Sequence, residues 1–353
     1  MHAVSRVANL RLIGACVVIL LALPVISLYA EEPKPPETIE ADGGATPVAS
    51  GDAGDQADKV LLQFKYKPGQ VARYEVVHEM EITTLFNDAK EITKNKSNTK
   101  RSYKVRDVTP DGDGDLQLTI DWVQMRAVFD SDGNLTKIDF QSDDPTKHPR
   151  EFKAILEMVG KPTATIRFDR SGRIISVDEA NAVRPKAAAG VVKRAGGLPV
   201  NPLHTGLADA TPESYLVRLP EEPVVPGNTW KEPFYVTARD EQNLPTKIKM
   251  QRNYTFASLE NGLATIEFRT ITLSPNLPPS VEAQMIQRET RGKIVFDVER
   301  GVIVAHESQV EKQVIEPFGP KSSMYAKSKY HEKLVSEETS VVQQPAEGPE
   351  TRK

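Results

Sequence analysis

Thr165-Ile166-Arg167-Phe168-Asp169-Arg170-Ser171-Gly172-Arg173-Ile174-Ile175, entered through Gly160-Lys161, has a counterpart far down the chain. Through Gly292-Lys293 the sequence enters Ile294-Val295-Phe296-Asp297-Val298-Glu299-Arg300-Gly301-Val302-Ile303. Each stretch reads as strand, Phe-Asp turn with glycine, strand. Upstream of both, in the same order, come a Pro-Gly turn (Pro68-Gly69, Pro226-Gly227), an aromatic strand (Tyr103; Tyr254 and Phe256) and a Leu/Ile strand. The period is too long for a solenoid. The reading is mainly β with a few helices: two diverged antiparallel β-meander repeats. They form a strongly curved sheet or half-barrel with one or two covering helices, the alternative being two small sandwiches.

Strand periodicity supports this. From Tyr74, one face carries Tyr74, Val76, His78, Met80, Ile82 and Phe86, and the other Arg73, Glu75, Val77, Glu79 and Glu81. One apolar and one wet face is the mark of an antiparallel sheet. Leu116, Leu118 and Ile120 continue to Trp122, after which the phase flips to Val123, Met125, Ala127 and Phe129. A flip predicts a β-bulge and a bend. Val302, Val304, His306, Val310 and Val314 form another apolar face. From Lys321 to Val335, Lys321, Lys327, Lys329 and Lys333 share a face. Such a strand suits a sheet edge guarded against further pairing.

Two helices interrupt the first half: one from Pro149, with Phe152, Ile155, Leu156 and Val159 at helical spacing and a stop at Gly160, and an Ala-rich one from Pro185 to Gly196-Gly197. No equivalent of the first is apparent in the second half.

The 353 residues carry a net charge of -4, concentrated in an acidic segment before residue 59, which leaves the body near neutral. Nucleic-acid binding needs a basic field that is absent. Cys16 is the only cysteine and lies in the N-terminal apolar run, so thiol redox and cysteine-ligated metal are excluded for the body. Arg6 and Arg11 precede an uncharged stretch from Leu12 to Ala30. Residues 1–30 therefore read as a signal peptide or N-terminal membrane anchor, the chain's one expected membrane contact. Residues 31–58 are an acidic Pro/Gly/Ala-rich linker and 337–353 a polar tail, both expected to be disordered. Between them lie the two halves, 59–200 and 201–336. The protein is expected to be exported: periplasmic, cell-envelope or secreted.

Chemical motifs are sparse. Asp111-Gly112-Asp113-Gly114-Asp115 opens like a calcium loop, but Leu116 and Trp122 occupy the positions where such a loop needs Gly and Glu. It reads as a hairpin turn. His78 and His306 lie on apolar faces without an acidic neighbour on the same face, and read as hydrogen-bonded core histidines rather than metal ligands. His331-Glu332 falls on the expected edge strand. No nucleophile elbow, zinc-protease helix or phosphate loop is present. The expectation is a non-enzymatic protein with no cofactor and no metal. Tyr74, His78, Met80, Phe86, Trp122 and His306 are the candidate lining of an apolar pocket between sheet and helices.

Phe64-Lys65-Tyr66-Lys67-Pro68-Gly69 up to Tyr74, the two Phe-Asp hairpins, the signal segment and the stalk together resemble an uncharacterised family of exported bacterial β-rich proteins. The resemblance spans roughly residues 59–315. In architecture the chain also resembles the curved half-barrel lipoprotein carriers of the bacterial envelope. That second likeness implies an apolar or lipid-like ligand. The alternatives are a structural or protein-protein interaction module with a filled core, meeting an envelope partner, and a hydrolase with an unrecognised site.

Overall fold

A computed structural model describes residues 59–149, 152–178, 217–240, 242 and 244–339. The expected signal segment, linker and Ala-rich helix lie outside them. In chain order the strands are β1 (Gln70–Phe86), β2 (Ala89–Val108), β3 (Gly114–Ser131), β4 (Asn134–Gln141), β5 (Pro162–Phe168) and β6 (Ile174–Asp178). Then come β7 (Thr229–Arg239), β8 (Pro245–Glu260), β9 (Leu263–Thr272), β10 (Arg291–Asp297), β11 (Val302–Ile315) and β12 (Ser322–Thr339). Helix α1 (Lys153–Met158) precedes β5, and α2 (Pro279–Met285) precedes β10.

All twelve strands join one antiparallel sheet, ordered β6-β5-β3-β2-β1-β12-β11-β10-β9-β8-β7, with β4 beside the far end of β3. The two halves lie side by side, each a meander laid down in the same order and direction. β12 joins them, pairing β1 on one flank and β11 on the other. The expected edge strand is thus the centre of the sheet. Its lysines have a different cause: Lys333, Lys329 and Lys327 stand opposite Glu75, Glu79 and Glu81 of β1, and Lys327 also stands opposite Glu311 of β11. β12 continues through Glu337 and Glu338, which pair with Ala72 and Val71. The ordered body therefore runs past the expected start of the tail.

Curvature follows from what single short segments touch. Phe64 donates its N–H to Arg170 in the β5–β6 turn (2.8 Å), and Lys65 donates to Gly301 in the β10–β11 turn (3.2 Å). Five strand spacings of about 4.8 Å would separate β5 from β11 by about 24 Å in a flat sheet. Adjacent residues reach both turns only because the sheet curls, apolar face inward. In the second half α2 packs against both β7 and β11, four spacings apart. Val281, Ala283 and Met285 of α2 are buried beneath the sheet. Val281, spaced four residues before Met285, was a helix signal, and α2 fills the place where no helical equivalent was expected.

Local sequence explains the bends. Lys100 pairs Trp122 but Arg101 pairs Ile120, leaving Asp121 as the extra residue at the predicted phase flip. The Gly-Lys pairs that introduce the two hairpins differ in role. Gly160 ends α1 with φ +74°. Gly292 lies within β10, where an added Cβ would fall 1.9 Å from the Glu307 carbonyl oxygen.

The interior is filled from both ends. Leu62, Phe64, Val217, Leu219 and Val224 pack under β8 to β11 against Tyr254, Phe256, Ile266 and Phe296. A two-way backbone bridge between Val60 and Val224 ties the two plugging segments together. At the other end, Phe140 of β4 with Phe152, Ile155 and Met158 covers β3.

Candidate functional site

The apolar face carries a buried ionic cluster. Glu332 of β12 sits between Val76 of β1 and His306 of β11 and is 6% exposed. Arg101, one strand further away on β2, donates through Nε to Glu332 Oε1 at 3.0 Å and through Nη2 to the Tyr330 hydroxyl at 2.7 Å. That hydroxyl donates to Glu332 Oε2 at 2.8 Å. Burial alone pushes the Glu332 carboxyl upward. The Arg101 guanidinium, His306 and the two hydrogen bonds reverse the effect and hold it below its ordinary value.

His306 is the other half of the cluster. Its Nδ1 lies 3.9 Å from Glu332 Oε2. Nε2 is buried, with no hydrogen-bond partner among the described residues. Burial lowers its pKa to about 4, against the pull of Glu332. Beyond it, Phe268 stacks edge-on at 5.5 Å. Arg252 then lies over the Phe268 and Phe234 rings, 5.7 Å from each. Tyr254 donates to Glu232 Oε2 at 2.7 Å, and Arg252 lies 3.6 Å from the same oxygen. The adjoining apolar slit, lined by Phe64, Tyr66, Tyr74, Tyr103, Val302 and Glu332, measures about 50 Å³, room for water but not for an acyl chain. Among the described residues no cluster of His, Cys, Asp or Glu could hold a metal ion.

Of the residues expected to line a pocket, Tyr74 is buried at the slit and donates to the Ile303 carbonyl at 3.0 Å. His78 bonds Ser328 Oγ through Nε2 at 2.8 Å. Met80 is buried with Ala283 and Ile286 near α2. His306 shares this face, and the Tyr330 ring stands between the two histidines, 6.2 Å from His78 and 5.3 Å from His306. Phe86 is half-buried at the far end of β1. Trp122 lies on the opposite face under Lys100, with Nζ 5.8 Å from the ring, because the Asp121 bulge ends the phase that Ile120 belongs to. Glu332, read from sequence as part of a solvated edge, is instead the most deeply placed carboxylate of the cluster.

The opposite, outer face is charged in alternating stripes. Lysines of β2 meet glutamates of β1: Lys96–Glu79 at 2.7 Å, Lys94–Glu81 at 3.1 Å and Lys100–Glu75 at 3.8 Å. β12 contributes lysines again, β11 glutamates, and Lys293 of β10 reaches Glu307 at 3.4 Å. A strongly twisted sheet is saddle-shaped, and an open groove of about 990 Å³ crosses this face from β1 to β8.

No protein-family model and no curated protein matches the chain. Among solved structures it is similar to lipovitellin, in a structure described by its lipid–protein interactions. The TM-score is 0.43 and the identity 14%, over 80% of this chain and 26% of that one. The chain therefore spans well under two thirds of that protein's length.

Proposed function

We propose that this protein is an exported, non-enzymatic binding scaffold with a filled core, which meets its partner on the outer face of the sheet. One observation carries the reading: the apolar slit beside Tyr74 and Glu332 measures about 50 Å³, whereas the outer face holds a groove of about 990 Å³. A carrier of apolar cargo needs roughly 300–1,000 Å³ of enclosed space. Mutual pairing of the buried Arg101 and Glu332 supports a structural role for their charges. The apolar run before Ala30 supports export.

Native mass spectrometry of the full chain, purified gently from a bacterial envelope, tests the proposal. A bare protein mass is expected. Bound mass of several hundred daltons released by organic solvent would overturn it and favour an apolar or lipid-like cargo.

A further inference from the structure

The charge stripes of the outer face break along the β7–β11 part of one row. Across the strands this row reads Lys231, Asn253, Arg269, Arg291, Gln309, Lys329 and Glu79. Arg269 and Arg291 stand directly opposite each other on β9 and β10, an arrangement that like charges disfavour. Elsewhere on this face cations and carboxylates alternate. Here Arg269, Arg291 and Lys329 are exposed, line the groove, and form no ion pair within 4 Å among the described residues.

Most nearby carboxylates make their ion pairs with other cations, although Glu79 also feels Lys329 across the ladder. Glu79 is held by Lys96, and Glu307 by Lys293 and His331. Glu311, whose charge Arg291 reaches, is held by Tyr325 at 2.7 Å and Lys327 at 3.6 Å. Glu267 also lines the groove, opposite Lys293, whose ion pair is with Glu307. Two opposed arginines without an ion-pair partner inside a concavity focus a positive field, and planar guanidinium forks match the oxygens of phosphate. Strand spacing of about 4.8 Å puts the two arginines on neighbouring rungs, with Lys329 about 10 Å further along.

Resting on the reading that the outer face is the working surface, we infer that Arg269, Arg291 and Lys329 form a recognition site for a phosphate-bearing ligand. Inorganic triphosphate is the probe for free phosphates. Phosphatidylcholine vesicles with and without phosphatidylglycerol are the probe for a lipid headgroup. The full chain is compared with the double variant Arg269→Gln/Arg291→Gln and with Lys104→Gln, a charge control elsewhere on the sheet.

Wild type and Lys104→Gln are expected to bind one of the two probes. The double variant should bind it at least tenfold more weakly while melting no lower than wild type in anion-free buffer, since the like-charge opposition has gone. A response to triphosphate assigns the source to free phosphates, and a response confined to phosphatidylglycerol vesicles assigns it to headgroups. Absence of binding by wild type, undiminished binding by the double variant, or a markedly lower melting temperature in that variant would overturn the site. Cargo found inside the molecule by mass spectrometry would instead sink the filled-core reading and leave the arginine row standing.

Discussion

Glu332 is held in place by partners from three strands, and its removal has an asymmetric effect. Glu332→Ala would leave Arg101 buried without its counter-ion, which costs about 3–5 kcal/mol. Thermal melting should show this as a large drop in Tm, whereas Glu75→Ala on the outer face should leave Tm almost unchanged. His306 sets the response to acid. Its folded-state pKa, about 4, is below the ordinary histidine value of about 6.5. The folded protein therefore binds fewer protons than the unfolded chain between those values, and stability falls as pH drops from about 6.5 to 4. His306→Phe keeps a ring against Phe268 and Tyr330 and should flatten the Tm-versus-pH curve over that interval. If the slope stayed unchanged, the acid response would belong to other groups. Alternation along β12 already placed Glu332 on the same face as Tyr330 and Leu334. Its burial was not readable there, because Arg101 lies 231 positions away and pairing at that distance leaves no local trace.

Element by element, turns and bulges were the legible part and neighbours the illegible part. The bulge at Asp121 announced itself as a change of phase, since alternation is a property of the strand itself. Turn residues Asn87, Asp132 and Asn261 adopt positive φ, which Asn and Asp tolerate better than most residues. A lysine stripe, by contrast, has two causes that look alike in one strand: an edge that repels partners, or a centre flanked by glutamates. Only the register separates them. Gly292 shows the same limit, because its Gly-Lys signature equals that of Gly160 while its constraint comes from β11. Gly292→Ala forces a methyl group against the Glu307 carbonyl and should break the β10–β11 ladder locally. Amide hydrogen exchange should then accelerate in Lys293 and Glu307 and in their neighbours, and Tm should fall. Gly160→Ala should leave those amides protected.

At the scale of the whole molecule, the two Phe-Asp hairpins whose sequences are alike turn out to share a task. Gly172 and Gly301, both at positive φ, let the segment from Leu62 to Lys65 press against the two turns at once: an added Cβ would meet Val217 and Phe64 at the first, and Lys65 at the second. Phe64 is the wedge, edge-on to Phe296 at 5.4 Å and 4% exposed. Phe64→Ala should cost about 3–5 kcal/mol and widen the slit beside Tyr74. Increased binding of an apolar fluorescent dye, together with a lower denaturant midpoint, would report both effects. An unchanged midpoint would mean that the hollow is held closed by other contacts.

The position of β12 also sets an order of events in time. Of the twelve strands it is the last to be synthesised, yet it occupies the middle. Until residues 322–339 are available to pair, β1 and β11 each present a long open flank of unpaired amides and carbonyls. Both half-made sheets must wait in that condition, which is the state in which nascent chains recruit wrong partners. The lysines of β12 then serve its arrival: the glutamates of β1 and β11 attract one strand of the right charge and admit it in one register.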